Sequence, residues 1–366
     1  MTSTARAQSA SSIEAPRSTP STSDLQRELP PASIRGRLLC NRYLPETLLG
    51  AGPFGARYLA EDISRGTLVC VELLPRRALA AWSEVLAAAT RVAELGDPSI
   101  ARLLGHGVAA GAWPFWVTEH GRTLRDELAT RGALELGRVA RLGARCASAL
   151  AAAHEAGVLH GALAPERVLL GASSPLALAR ITGFGLAPLV QANGDALFGS
   201  PPALYHYVSP EHARGERLEA RSDIYSLGAI LYELAVGAPP FEGNATAVLR
   251  QHRRVEPTPP SRRHRSAGLA FRAFDKIVGR CLAKRPEQRY ASASELAADL
   301  ARLDAALARL QLEPGPAHAA DAQRSGPRVA AAPTRRSAVE VSPARRPPKA
   351  RGGLPRVAKV IVQGGG

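Results

Sequence analysis

The chain has 366 residues, 45% of them hydrophobic, a formal charge of +15 and four cysteines. That length suits one large domain or two medium ones with a real core. Cys40, Cys70, Cys146 and Cys281 are too scattered for a zinc-finger or disulfide framework, and no apolar run reaches the roughly 18 residues of a membrane span. Arg far outnumbers Lys and Ala is abundant, a bias that GC-rich coding produces by itself, so the charge reads as solvated faces and tails rather than a nucleic-acid surface.

Residues 1–33 are rich in Ser, Thr, Pro and Ala without apolar periodicity and read as a disordered leader. The first 26 residues have no apolar h-region, so no signal peptide is expected; with the unpaired cysteines this predicts a cytoplasmic protein. Residues 40–75 alternate short apolar runs with Gly-containing turns and read as three antiparallel strands. Residues 78–95 have helical spacing ended by Gly96-Asp97-Pro98, and strands are expected around Ala101–His106 and Pro114–Glu119. From Leu124 the pattern is helical: Thr123–Thr130, Leu136–Ala156 with Gly157 as a C-terminal stop, Ser222–Gly237, Asn244–Arg253, Leu269–Leu282 and Ala293–Leu310. Residues 311–366 carry 10 Lys/Arg against 3 acids and read as a basic disordered tail. Val357–Val362 within it is either a β-prone docking peptide or a run of incidental valines.

Two loops stand out. His160-Gly161-Ala162-Leu163-Ala164-Pro165-Glu166-Arg167 and Gly183-Phe184-Gly185 each lie beside an apolar run, Val168-Leu169-Leu170 and Leu178 with Ile181. A loop, a short strand, a turn, a second strand and a loop would set them side by side on one surface.

Gly50-Ala51-Gly52-Pro53-Phe54-Gly55, Ser209-Pro210-Glu211, Ser222-Asp223-Ile224 and Arg289, set in an antiparallel β-lobe (about 40–120) followed by a helical lobe (about 121–310), together resemble a protein kinase domain, most closely the bacterial Ser/Thr kinases of eukaryotic type. The resemblance covers about residues 40–305 within a domain placed at 34–310, and it implies a two-lobed α+β fold. Gly50-Ala51-Gly52-Pro53-Phe54-Gly55 has the spacing of the glycine-rich loop. Ser209-Pro210-Glu211, Ser222-Asp223-Ile224-Tyr225-Ser226-Leu227-Gly228 and Arg289 match structural motifs of the family. The resemblance therefore implies a buried Glu211–Arg289 ion pair, Asp223 capping backbone amides of the 160–167 loop, His160 as a structural hydrogen bonder and Phe184 as a plug between the lobes.

The positions that carry chemistry depart from the family. The V-A-I-K lysine is Glu72, which reverses the charge facing the nucleotide phosphates. In the catalytic loop the base is Ala162, the phosphoryl-supporting lysine is Ala164 and the metal-binding asparagine is Arg167. The D-F-G aspartate is Gly183. The adenine-roof valine is Arg57, and the helix glutamate falls at Ala88, with Glu84 one turn away as the alternative. Thr118 takes the gatekeeper position and Glu119 the hinge, and the stretch from Glu119 to Leu124 is about two residues shorter than the family's. Gly50, Gly52 and Gly55 remain candidates for backbone contact with ATP phosphates.

The expectation is a pseudokinase: no catalytic residues, no bound magnesium, no required cofactor, and work done through another protein, such as an active kinase or signalling component. Neither nucleic acid nor membrane is an expected partner. The alternative is an atypical kinase or kinase-fold transferase with weak ATP binding, which needs a compensating acid or lysine in the cleft, the few candidates being Glu119, Asp126, Glu166 and Asp195. Ser200 and Gly161 offer no phosphorylation switch, and Tyr205 and Tyr207 are expected to pack. If Glu72, Arg57 and Arg167 meet across the cleft, an internal salt bridge stands in for nucleotide and metal.

Overall fold

The structure is a computed structural model describing residues 34–52, 54–110, 112–171, 179–192, 202–264 and 268–312. The leader, the tail with Val357–Val362, Asp195 and Ser200 lie outside the described residues.

The first lobe is a five-stranded antiparallel sheet ordered β1-β2-β3-β5-β4, from β1 (Tyr43–Gly52), β2 (Gly55–Asp62), β3 (Thr67–Leu73), β4 (Leu103–Ala109) and β5 (Trp113–Glu119). β5 lies between β3 and β4, which is why its Trp-Pro-Phe-Trp-Val-Thr run is buried throughout rather than alternating. Tyr58, Val69, Val71, Phe115 and Val117 form the lobe's own core. β4 begins two residues later than its apolar run predicts, because the Ala101 amide bonds the Ile181 carbonyl instead of a neighbouring strand.

The expected single helix over 78–95 is also corrected. Pro75 opens a 3₁₀ stretch, Arg76–Ala81, and only then does α1 (Trp82–Ala93) begin. Glu84 is exposed on its first turn and Ala88 packs against the main core, so neither supplies an acid to the cleft.

The helical lobe is built on α2 (Leu124–Arg131), α3 (Leu136–Glu155), α4 (Ala220–Val236), α5 (Ala245–Arg254), α6 (Leu269–Cys281) and α7 (Ala293–Leu312). Thr123 and Asp126 form a capping box on α2, and Asn244 caps α5. α4 is apolar nearly all round and sits at the centre. Small residues let its neighbours approach. A Cβ on Gly143 of α3 would lie 2.6 Å from Leu231, and one on Gly228 of α4 would lie 2.4 Å from Cys281 of α6.

Arg289 clamps this lobe. Its guanidinium donates to both Glu211 carboxylate oxygens at 2.8 Å, and the Ser222 hydroxyl donates to the same carboxylate at 2.6 Å. Both partners of the ion pair are buried. Burial pushes the Glu211 carboxyl up, but Arg289 and Ser222 hold it below the ordinary glutamate range.

Candidate functional site

The site is the cleft between the lobes. β1 and β2 meet at the glycine loop, where Gly52 pairs with Gly55. Gly55 has φ +123, and a Cβ there would stand 1.9 Å from the Leu73 carbonyl, so the loop needs glycine at that position to lie flat on β3.

Below the loop, Glu72 projects from β3. The register sets Glu72 opposite Arg57 on β2 and opposite Trp116 on β5, so strand pairing alone brings three large polar side chains together. Trp116 Nε1 donates to Glu72 Oε2 at 3.0 Å. From the helical lobe, Arg167 completes the arrangement with a bidentate pair: Nη1 to Oε2 at 3.0 Å and Nη2 to Oε1 at 2.7 Å. Glu72 is 4% exposed and Arg167 7% exposed, which makes this a buried ion pair with no surface screening. Burial acts to raise the Glu72 carboxyl, but the Arg167 charge and hydrogen bonds outweigh it and keep the group below its ordinary range. Arg167 is raised for the reciprocal reason, Glu72 overcoming its own desolvation.

Arg57 does not contact Glu72 by hydrogen bond. It reaches across the cleft and donates from Nη1 to the Glu166 carbonyl at 2.7 Å. Glu72–Arg167 and Arg57–Glu166 thus both link β-lobe and helical lobe across the cleft. Arg57, Glu72 and Glu166 line both a cavity of about 310 Å³ under the glycine loop and one of about 150 Å³ beside Thr118 and Glu119.

Gly183 is the complement of Arg167. It has φ +85, and a Cβ built on it would fall 2.1 Å from Arg167 Nη1. The space vacated at 183 is the space the guanidinium fills. Ala162 and Ala164 are both buried, Ala162 among Phe54, Trp116, Leu186 and Leu189 and Ala164 in the main core, so neither presents a polar group to the cleft.

Asp223 accepts from the His160 and Gly161 amides, each at 2.8 Å, and pairs with His154 Nε2 at 2.8 Å. The His160 ring lies 3.2 Å from the Thr182 carbonyl through Nε2 and accepts the Ala162 amide at Nδ1. Burial drives its pKa down to about 4, so the ring is neutral at pH 7. Phe184 stacks edge-on against it at 4.9 Å between centroids and is buried.

Thr118 is buried beside Thr182. Glu119 is held by Arg102 at 2.5 Å and Arg180 at 2.6 Å. Asp126 is spent in the α2 capping box, and Glu166 pairs with Arg125 at 2.9 Å. No described candidate acid is left free to replace Ala162 or Gly183.

A second cluster lies outside the residues that the motifs single out. Arg125 also donates to Glu233 at 2.8 Å and to the Tyr207 hydroxyl, which in turn donates to Glu233. Nothing at these positions signals the cluster in the sequence, since Arg125, Tyr207 and Glu233 come from three distant elements. The motifs do not single out the Trp116 donor either, and only the β3–β5 register reveals it.

The two positions that the resemblance assigns to magnesium hold a guanidinium and a glycine, which offer the ion no side-chain oxygen. No described helix is long and apolar enough to cross a membrane.

Comparison with known proteins agrees with this architecture. Residues 43–300 match the family model for the protein kinase domain. The serine/threonine-protein kinase PknB of Mycobacterium tuberculosis is 35% identical over 277 residues, 72% of this chain and 43% of PknB. The serine/threonine-protein kinase pkn3 of Myxococcus xanthus is 31% identical over 297 residues, 76% of this chain and 53% of pkn3. The chain thus spans about half the length of these relatives or less. Among solved structures, the kinase domain of PknI from M. tuberculosis superposes with a TM-score of 0.55 at 23% identity, covering 73% of this chain and 97% of that one, a likeness of fold.

Proposed function

The chain belongs to the protein kinase family, and from that premise we propose that it is a pseudokinase, a kinase-fold domain that transfers no phosphate and acts as a scaffold or allosteric partner through protein–protein contacts. The observation that carries this is the buried Glu72–Arg167 pair. Phosphoryl transfer needs positive charge and metal around the β- and γ-phosphates, with a base at the acceptor hydroxyl. Here a carboxylate occupies the phosphate-facing lysine position, a guanidinium fills the metal position, and the base position is an alanine in apolar packing. Each missing contribution costs several kcal/mol of transition-state stabilisation, and they are missing together.

The partner in this reading is another protein, an active Ser/Thr kinase of the kind its relatives are named for or another signalling component, in a cytoplasmic setting. ATP and magnesium are not required. A second reading, an atypical kinase or kinase-fold transferase with weak metal-free ATP binding, draws on the cavity of about 310 Å³ under the glycine loop, which Arg57 and Arg125 line.

Two measurements separate the readings. Incubation with labelled ATP and Mg²⁺ or Mn²⁺, with and without a generic basic protein, should give no transfer; robust transfer abolished by one cleft substitution would sink the pseudokinase. Thermal melting with ATP should show no metal-dependent rise, and a metal-independent rise would favour the second reading.

A further inference from the structure

The helical lobe carries a groove between α6 and α7 that shares no lining residue with the cleft. Its α6 wall is Leu269, Arg272, Ala273, Lys276, Ile277 and Arg280, a spacing that puts them on one face of the helix. The α7 wall includes Leu303 and Ala306, and Leu310 continues the same stripe at 64% exposure. Leu269 is 83% exposed, the most exposed large apolar side chain described. An apolar strip of this kind between two helices is what an amphipathic helix covers when it lies against both.

The charge of the rim selects the occupant. Four cations face the groove against one carboxylate, Asp299. That carboxylate is consumed by Arg302 and by the Tyr290 hydroxyl at 2.8 Å. Arg280 is paired with Glu295 at 2.7 Å and lies over the Tyr290 ring. Arg272 and Lys276, both exposed, have no described carboxylate partner. The groove is therefore apolar at its floor and net positive at its edge.

That charge argues against the chain's own tail, whose residues 311–366 carry net +7, and against a second copy of a chain with net +15. We propose that the α6–α7 groove is a docking surface for an acidic amphipathic helix of a partner protein, its apolar face on Leu269, Ala273 and Ile277 and its carboxylates on Arg272 and Lys276. This inference goes beyond the pseudokinase reading and does not depend on it, because no residue of the groove lines the nucleotide cleft.

The test pans a displayed library of random peptides of about 16 residues against the full chain, and synthesises the enriched sequences for affinity measurement. The expected result is enrichment of acidic peptides with apolar residues at helical spacing. Leu269→Asp and Lys276→Glu should weaken their binding about tenfold or more, while R253E, an exposed change on α5, leaves it unchanged. Both groove changes lie on exposed side chains, and unchanged melting temperatures would confirm folding. Enrichment of basic or purely polar peptides, no enrichment, or binding insensitive to both groove variants would overturn the proposal. So would removal of residues 314–366, beyond the end of α7, raising peptide affinity, since the tail would then be the occupant.

Discussion

Glu72 and Arg167 lie 95 positions apart in the chain, on opposite lobes, and meet through two hydrogen bonds of 2.7 and 3.0 Å in a buried site. In the family to which the chain belongs, these positions hold a lysine and an asparagine that face phosphate and metal. Here the two substitutions answer each other: a carboxylate that would repel phosphate is matched by a guanidinium that would repel magnesium. Gly183 and Trp116 extend the match, one by clearing space and one by donating to the same carboxylate.

Breaking one partner should cost far more than replacing both. Glu72→Ala or Arg167→Ala leaves an uncompensated buried charge and should destabilise by about 3–5 kcal/mol, whereas the E72M/R167M double variant should fall within about 1 kcal/mol of the parent or exceed it. Urea unfolding of the four proteins measures this. Single variants costing under about 1 kcal/mol would show that the pair is solvated rather than buried.

Gly183 should be coupled to Arg167. Gly183→Ala forces a Cβ to within 2.1 Å of Arg167 Nη1 at a backbone φ of +85. In the parent it should cost more than about 2 kcal/mol, the sum of left-handed backbone strain and displacement of a paired guanidinium. In the E72M/R167M background only the strain remains, about 1 kcal/mol. Equal costs in both backgrounds would show that the glycine is there for the backbone alone.

Much of this is legible in the sequence, and the reasons are local. Motif spacing located Glu211, Asp223 and Arg289, because each does its work through contacts the kinase fold always makes. Charge reversal at 72 and a new cation at 167 raised their pairing as a possibility, since two opposite charges drawn toward one dry site must find each other. The Trp116 bond was not legible, because it depends on β5 lying beside β3 in a given register, and sequence order does not state that. The Arg125–Glu233–Tyr207 cluster was invisible for a related reason: Arg125 and Glu233 are 108 positions apart, and the helical pattern of each segment is satisfied without the other. The 3₁₀ start at Arg76–Ala81 was masked by alanines that suit either helix type.

Stability should rise with pH between about 4 and 6.5. His160 and His212 are held near 4 by burial, and His252 near 3, also by burial, all below the unfolded value of 6.5. In that window the unfolded chain binds more protons than the folded one, so each histidine contributes up to about 1.4 kcal/mol of stability per pH unit as pH rises. Glu72, Glu211 and Asp223, lowered by their partners against the pull of burial, act in the same direction at the acid end: their contribution is present above the unfolded carboxylate values and is lost as pH falls through the folded ones. The melting temperature should fall steadily from pH 7 to pH 5, and a flat profile would mean that these histidines are protonated in the fold.

Glu72→Lys, the apparent repair of the lysine position, should fail as a repair. It sets a second cation against Arg167 and removes the acceptor of Trp116 Nε1, so the variant should be destabilised by about 3 kcal/mol or more and show no Mg²⁺-dependent response to ATP. The metal response should return only when Arg167→Asn and Gly183→Asp are added, because the first clears the guanidinium from the space the second needs. A triple variant that binds ATP·Mg²⁺ would be stabilised by about 2.7 kcal/mol at a hundredfold excess over Kd, a shift easily read by thermal melting. If E72K alone gains a metal-dependent shift, Arg167 is not what keeps magnesium out of the cleft. If the triple variant folds and gains none, the obstacle lies in Arg57 and its tie to the Glu166 carbonyl, and Arg57→Val added to the triple should release it.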